Sequence, residues 1–237
     1  MIIHPVSRSQ REAARLIGAS YLVAMATAVF GFYVRGQMVV PGNATATALN
    51  IVNSTTLFRA SIASDITTFV IDVLLIASLY VTLAPIKRTV ALIATLWRLI
   101  ETAVLLVVTL NGFAALRLLS DADYLHVMEP GQLHALARLS LAAYASGYNV
   151  GFVFLGLGST AFAYLWLRSG YIPKALALLG IGASLLLAVC NFIFILFPDA
   201  ARIVGPVYML PLGLFEVSMG VWLLLKGLRS NESEAKD

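Results

Sequence analysis

Cysteine occurs once in 237 residues and histidine three times. The lone Cys190 leaves no partner for an intrachain disulfide and too few thiolates for an iron–sulfur cluster. It lies within an apolar run, where cysteine behaves as a small core hydrophobe. His4, His126 and His134 all fall away from the centres of the apolar runs. That argues against haem held between paired intramembrane histidines and against a metal site built from histidine clusters, so no cofactor and no metal are expected. Charge is scarce too. Asp, Glu, Lys and Arg make up 12% of the chain, against about 25% in a soluble domain. A surface wetted on every side needs more, and no stretch is left over for a soluble catalytic domain.

What is abundant is hydrocarbon. The chain is 60% hydrophobic, with a mean hydropathy of +0.89. Six long apolar runs cover roughly 14–34, 58–83, 89–113, 138–167, 173–197 and 204–227. In a bilayer the backbone must satisfy its own hydrogen bonds, so each run is expected to be a helix. The expected fold class is all-α: a polytopic membrane protein, one transmembrane domain over 1–237, built as a bundle of six transmembrane helices with a short outer-loop helix. Asn43 is placed to cap that short helix, through Ala44–Ile51. The first run follows Arg8, Arg11 and Arg15 like a signal peptide, but it is long for one and no small-x-small site follows, so it reads as a retained helix. The tail Ser230–Asp237 is expected to be disordered.

The net charge of +4 does not point to nucleic acid, because the basic residues sit beside apolar runs. Arg8, Arg11, Arg15, Lys87, Arg88, Arg168, Lys174, Lys226, Arg229 and Lys236 flank alternate connections. The other connections hold Arg35, Arg117 and Arg202 with more acids: Asp121, Asp123, Glu129 and Asp199. Positive residues stay inside, so both termini are expected in the cytoplasm. Pro85–Arg88 and Arg168–Pro173 read as tight turns; 35–57 and 114–137 are longer segments on the outer side. Asn43-Ala44-Thr45 and Asn53-Ser54-Thr55 match the glycosylation pattern, which short sequences do often by chance.

Against this background a few polar residues stand out. A charge at the bilayer centre costs at least ~2.5–3.5 kcal/mol on insertion scales, so those present need partners or water. Ser61, Asp65, Thr68 and Asp72 form one stripe on the second span, and Arg98 and Glu101 share a face of the third. His134, Arg138, Ala145, Tyr148, Asn149 and Phe152 make a looser stripe on the fourth; Asn191, Tyr208 and Glu216 add to a shared interior from the fifth and sixth. Counting ~1.5 Å per residue puts Asp72, Arg98, Glu101, Tyr148 and Glu216 near the midplane. Asp65, Asn191, Arg138 and His134 fall nearer the outside, with Arg59 at the outer end of the second span. The pattern predicts an outward-facing polar cavity floored by a charge network. Asp65, Asp72, Arg98, Glu101, Tyr148, Asn149 and Glu216 are the candidates to bind a ligand or proton, and Arg59, His134, Arg138 and Asn191 to line the outer cavity. Arg98 can equally act as a clamp, neutralising Glu101 or Asp72. Arg59, six residues before Asp65, is poorly placed to neutralise it.

Several chemistries fail on geometry. Asp65 and Asp72 lie ~10.5 Å apart along one helix and cannot share the proton of an aspartyl dyad. Ser159 has no base, since His134 falls near the other end of the same helix. Gly156-x-Gly158 is mid-helix and reads as packing rather than nucleotide binding. Transport has better physics: midplane carboxylates bind and release protons as their burial changes. Pro206 and Pro211 also interrupt the sixth run, as in the broken helices that line membrane sites. Three readings stay open. One is a protein that binds or transports a small or lipid-like ligand, with Asp65 and Glu101 contacting ligand or proton and Arg98 as counter-charge. The second is an intramembrane lipid-modifying enzyme using carboxylate acid/base chemistry, and the third a structural or regulatory subunit. Membrane lipid is the expected partner; six helices without repeats make a small transporter, so a homodimer is also considered.

The run Ala44-Thr45-Ala46-Thr47-Ala48-Leu49-Asn50-Ile51, then Leu57-Phe58-Arg59, resembles the bacterial membrane family catalogued as domain of unknown function 4386. So do Ala91-Leu92 with Trp97-Arg98-Leu99, Gly151-Phe152-Val153-Phe154-Leu155-Gly156, and Arg168-Ser169-Gly170-Tyr171-Ile172-Pro173. The likeness spans roughly residues 10–225. Where the family pattern has Asp before the Ala/Thr run this chain has Asn43, which keeps a helix cap and loses a charge. The resemblance implies a bacterial inner-membrane protein and no particular activity.

Overall fold

The computed structural model describes residues 6–229; His4, Lys236 and the tail expected to be disordered lie outside them. The described residues form eight α-helices and two 3-10 turns, with no strand among them. These are α1 (Arg8–Met38), α2 (Ala44–Asn53), α3 (Thr55–Leu83), α4 (Arg88–Leu118), α5 (Pro130–Ser169), α6 (Lys174–Leu196), α7 (Pro198–Val204) and α8 (Leu210–Leu225). One 3-10 turn, Asp123–Leu125, precedes α5, and the other, Gly205–Met209, joins α7 to α8.

Six helical segments are long and apolar enough to cross a membrane: α1, α3, α4, α5, α6 and the broken segment Pro198–Leu225. The protein is a multi-pass α-helical membrane protein. α1, α3, α4 and α5 outrun the apolar runs, because a helix continues past the hydrocarbon into residues that the interface solvates. α1 thus runs to Met38, where the sequence suggested an exit at 34, and α5 starts at Pro130 rather than near 138. Local chemistry sets the ends. Ser7 and Gln10 form a reciprocal capping box at the start of α1, with Gln10 Oε1 accepting from the Ser7 N–H at 2.9 Å. Asn43 caps α2 as expected, its Oδ1 accepting from the Ala46 N–H at 2.8 Å. Gly170, at φ 70°, closes α5, a left-handed conformation that glycine adopts without penalty.

Each spanning helix packs on the next, α1 on α3, α3 on α4, α4 on α5 and α5 on α6; α6 packs on α8, and α8 closes the ring against α1. α3 also touches α5 across the ring, and α2 lies on α5 at the end away from the termini. Apolar residues such as Val70, Val107, Leu110, Leu139 and Leu214 face outward, which suits a surface solvated by lipid. The interior holds two separate apolar clusters. One, around Ile17, Leu79, Leu83, Leu165 and Trp166, fills the half near the termini; the other, around Met38, Ile51, Phe58, Ile62 and Ala115, fills the opposite half. Glycine permits a close crossing of α1 and α8: a Cβ on Gly18 of α1 would meet the Gly220 carbonyl oxygen of α8 at 2.9 Å.

Candidate functional site

Polar side chains from α1, α3, α4, α5 and α8 gather between the two apolar clusters, in two tiers seven residues apart along α3. The tier nearer the loops centres on Asp65, which is 2% exposed. Its partner is Arg35, whose Nη1 donates to Asp65 Oδ2 at 2.7 Å. The Tyr144 hydroxyl of α5 donates to the same oxygen. Tyr148 stacks on Tyr144 with ring centroids 5.1 Å apart, and the Arg35 guanidinium lies 4.9 Å above the Tyr144 ring and 6.0 Å from that of Tyr148. Gly31 makes the arrangement fit: a Cβ there would meet Asp65 Oδ1 at 2.6 Å and Arg35 Nη1 at 3.1 Å.

Arg35 and Tyr144 escaped the sequence reading. Arg35 was assigned to a loop because the apolar run stops at 34, yet it lies in the last helical turn of α1 and reaches back along it. Tyr144 precedes Tyr148 by four residues and so shares its face; that spacing was the available signal.

The second tier centres on Arg98 of α4. Its Nη2 donates to Asp72 Oδ1 of α3 at 3.2 Å, and its Nη1 faces Glu101 Oε2 at 3.4 Å without a hydrogen bond. Neither of those last two atoms has another hydrogen-bond partner. Glu216 of α8 and Tyr21 of α1 lie within electrostatic range of the same guanidinium. Counting ~1.5 Å per residue from the helix ends near the termini puts Asp72, Arg98 and Glu216 all roughly 14–17 Å deep. Gly158 of α5 admits the arginine stem, since a Cβ there would meet Arg98 Cγ at 2.7 Å. Its neighbour Gly156 lies against α6, where a Cβ would meet the Ser184 carbonyl at 2.6 Å. The pair thus serves packing on two sides of α5.

The predicted candidates are therefore divided. Asp65 and Tyr148 belong to the first tier; Asp72, Arg98, Glu101 and Glu216 belong to the second. Asn149 is half-buried beside Tyr148 and enters neither network. Of the expected outer-cavity residues, Arg59 is exposed, while His134 reaches the Thr45 hydroxyl of α2 at 3.4 Å. Arg138 is half-buried, and Asn191 is fully buried in α6, its Nδ2 donating to the Leu187 carbonyl at 2.8 Å. None of these four joins either tier. A groove of about 320 Å³ opens between α1 and α3 at the end bearing the termini, lined by Ser9, Glu12, Leu16 and Ser78 among others, away from both tiers.

A family model described as domain of unknown function (DUF4386) matches residues 16–227. The chain belongs to that family. The match takes in both tiers, from Tyr21 and Arg35 to Glu216, so the whole polar interior lies within the DUF4386 domain. No curated protein and no solved structure matches the chain.

Proposed function

We propose that this DUF4386 protein binds or transports a small or lipid-like ligand and takes up protons at the Asp72–Arg98–Glu101–Glu216 cluster as it does so. One observation carries the reading: two carboxyl groups, Asp72 and Glu101, contact a single guanidinium at 3.2 and 3.4 Å, with a third, Glu216, within its electrostatic range, in a layer between two apolar clusters. Charge held in hydrocarbon costs at least ~2.5–3.5 kcal/mol per group on insertion scales. The surplus carboxyls therefore call for positive charge from outside the chain. Among the described residues, no three acids, histidines or cysteines stand close enough to hold one metal ion together. Separate protons on separate carboxyls meet the need without a shared coordination centre. The groups facing the cluster are Tyr21 from α1, Asp72 from α3, Arg98 and Glu101 from α4 and Glu216 from α8, while α5 contributes Gly158.

Proton exchange tests the reading. A pH jump across the neutral range on the purified protein, followed with an indicator dye, counts the protons bound or released. The wild type should exchange more than Glu101→Gln or Glu216→Gln, and equal counts in all three would sink the idea.

The same reading places the protein in an inner membrane with both termini in the cytoplasm. The orientation is supported by the row of cations at one end of the bundle: Arg8, Arg11, Arg15, Lys87, Arg88, Arg168, Lys174, Lys226 and Arg229. A C-terminal reporter that is active only in the cytoplasm should be active; silence would reverse the orientation.

A further inference from the structure

We propose that Asp65, Tyr144 and Tyr148 form a binding site for a small organic cation, a guanidinium compound or primary amine, and that Arg35 occupies it as a tethered surrogate. The proposal rests on the ligand-binding reading above, names its ligand class, and uses none of the residues of the proton cluster.

The composition of the tier is that of a cation receptor. A buried carboxylate supplies the charge, and two tyrosine faces supply the quadrupoles that attract a cation lying over them. The chain's own guanidinium already sits there, 2.7 Å from Asp65 Oδ2 and 4.9 Å over the Tyr144 ring. Both hydrogen bonds to Asp65, from Arg35 and from Tyr144, end on Oδ2. Oδ1 is left toward Gly31, the position where any side chain would collide with it. A clamp between α1 and α3 needs the ion pair alone; the two stacked rings around the guanidinium are what recognition adds.

Arg35 is also placed to leave. It lies in the last turn of α1, three residues before Met38, and its side chain is 13% exposed against 3% for Asp65. Its long stem can carry the guanidinium toward the end of the bundle while Asp65 stays buried. The exchange swaps one cation for another, so no uncompensated carboxylate is left inside, which is the step that would be costly.

Isothermal titration of the purified full-length protein with methylguanidinium chloride, at ionic strength matched with sodium chloride, tests the proposal. The wild type should bind weakly. Arg35→Ala removes a competitor held at a millimolar or higher effective concentration, so it should bind on the order of tenfold tighter or more. Asp65→Asn should abolish binding in either background, while keeping the proton exchange of the Glu101–Glu216 cluster. Should Arg35→Ala fail to fold alone, methylguanidinium present during extraction should restore it, and the Arg35→Ala/Asp65→Asn double variant should not respond. Binding by Arg35→Ala no tighter than wild type, binding that survives Asp65→Asn, or an unfolded Arg35→Ala that methylguanidinium does not rescue would each overturn the proposal. Loss of proton exchange in Glu101→Gln and Glu216→Gln would be unaffected by that result, so the two readings fail separately.

Discussion

Arg98→Met and Asp72→Asn remove opposite ends of one ion pair, and the charge count of the tier says they will not cost the same. Arg98 is 4% exposed and is the single cation among Asp72, Glu101 and Glu216. At an effective dielectric of about 20, its 3.2 Å contact with Asp72 represents ~5 kcal/mol of attraction before desolvation is counted. Removing it strands the buried Asp72 and Glu101 and takes the nearest cation from half-buried Glu216, and breaking a buried pair from one side costs ~3–5 kcal/mol. Asp72→Asn keeps the shape, leaves Arg98 facing Glu101 at 3.4 Å, and lowers the surplus of acid by one. Its cost should be about 1 kcal/mol or less, since replacing a surplus acid by a neutral amide of the same shape removes unfavourable charge. With ~2–4 °C per kcal/mol for a chain of this size, Arg98→Met should lower the melting temperature by ~6–20 °C and Asp72→Asn by less than ~4 °C.

Thermal unfolding of the detergent-purified variants, read by size-exclusion recovery after heating, measures both shifts on one scale. A plain one-to-one clamp predicts equal damage from either end. Asp72→Asn as harmful as Arg98→Met would therefore refute the surplus of acid on which the proton reading depends.

Two further outcomes follow from the packing. Tyr144→Phe removes one donor from Asp65 and leaves the Arg35 pair intact, so it should cost ~1–2 kcal/mol, well short of Arg98→Met in the same melting assay. Gly18→Val pushes a side chain into the Gly220 carbonyl of α8, a backbone atom that cannot turn aside. It should destabilise by ~1–3 kcal/mol, whereas Gly36→Ala, a helical position whose Cβ would meet nothing within 4 Å, should not lower the melting temperature.

Much of this was legible from residue spacing, and what was not has a physical reason. The six spans follow from the apolar runs, α2 from its Asn43 cap, and the break before α8 from Gly205, Pro206 and Pro211; the chain does turn there, with Gly205 at φ 58°. The stripe of Asp65 and Asp72 on α3 was readable because a helix repeats every 3.6 residues. Which helix faces each acid was not readable, since sequence period gives a face and not a neighbour. Asp65 thus seemed unpaired along its own helix, while its partner came from α1. The exit of α1 was misplaced for a related reason: hydropathy falls at Arg35, but the helix continues one more turn, and an arginine there folds its stem back along the span. Arg59 and Arg138 were legible as cations near the loop end of their helices, but nothing in their spacing said that they stay outside both networks.

The two tiers differ in charge, and the difference suits them to different tasks in the proposed reading. At Asp65 one carboxylate meets one guanidinium, so exchanging one cation for another leaves the interior charge unaltered. At Arg98 two carboxyls contact one guanidinium and a third lies within its electrostatic range, so each arriving proton changes the charge of the layer. α3 carries an acid to each tier, and between Thr55 and Leu83 it contains neither glycine nor proline to bend it. In that reading, any displacement of Asp65 would reach Asp72, ~10.5 Å along the same axis, through the helix itself rather than through a relay of side chains. Arg98 holds to Asp72 at the far end of that stretch, so the cation exchange proposed at Asp65 and the proton uptake proposed at Arg98 would bear on the same helix.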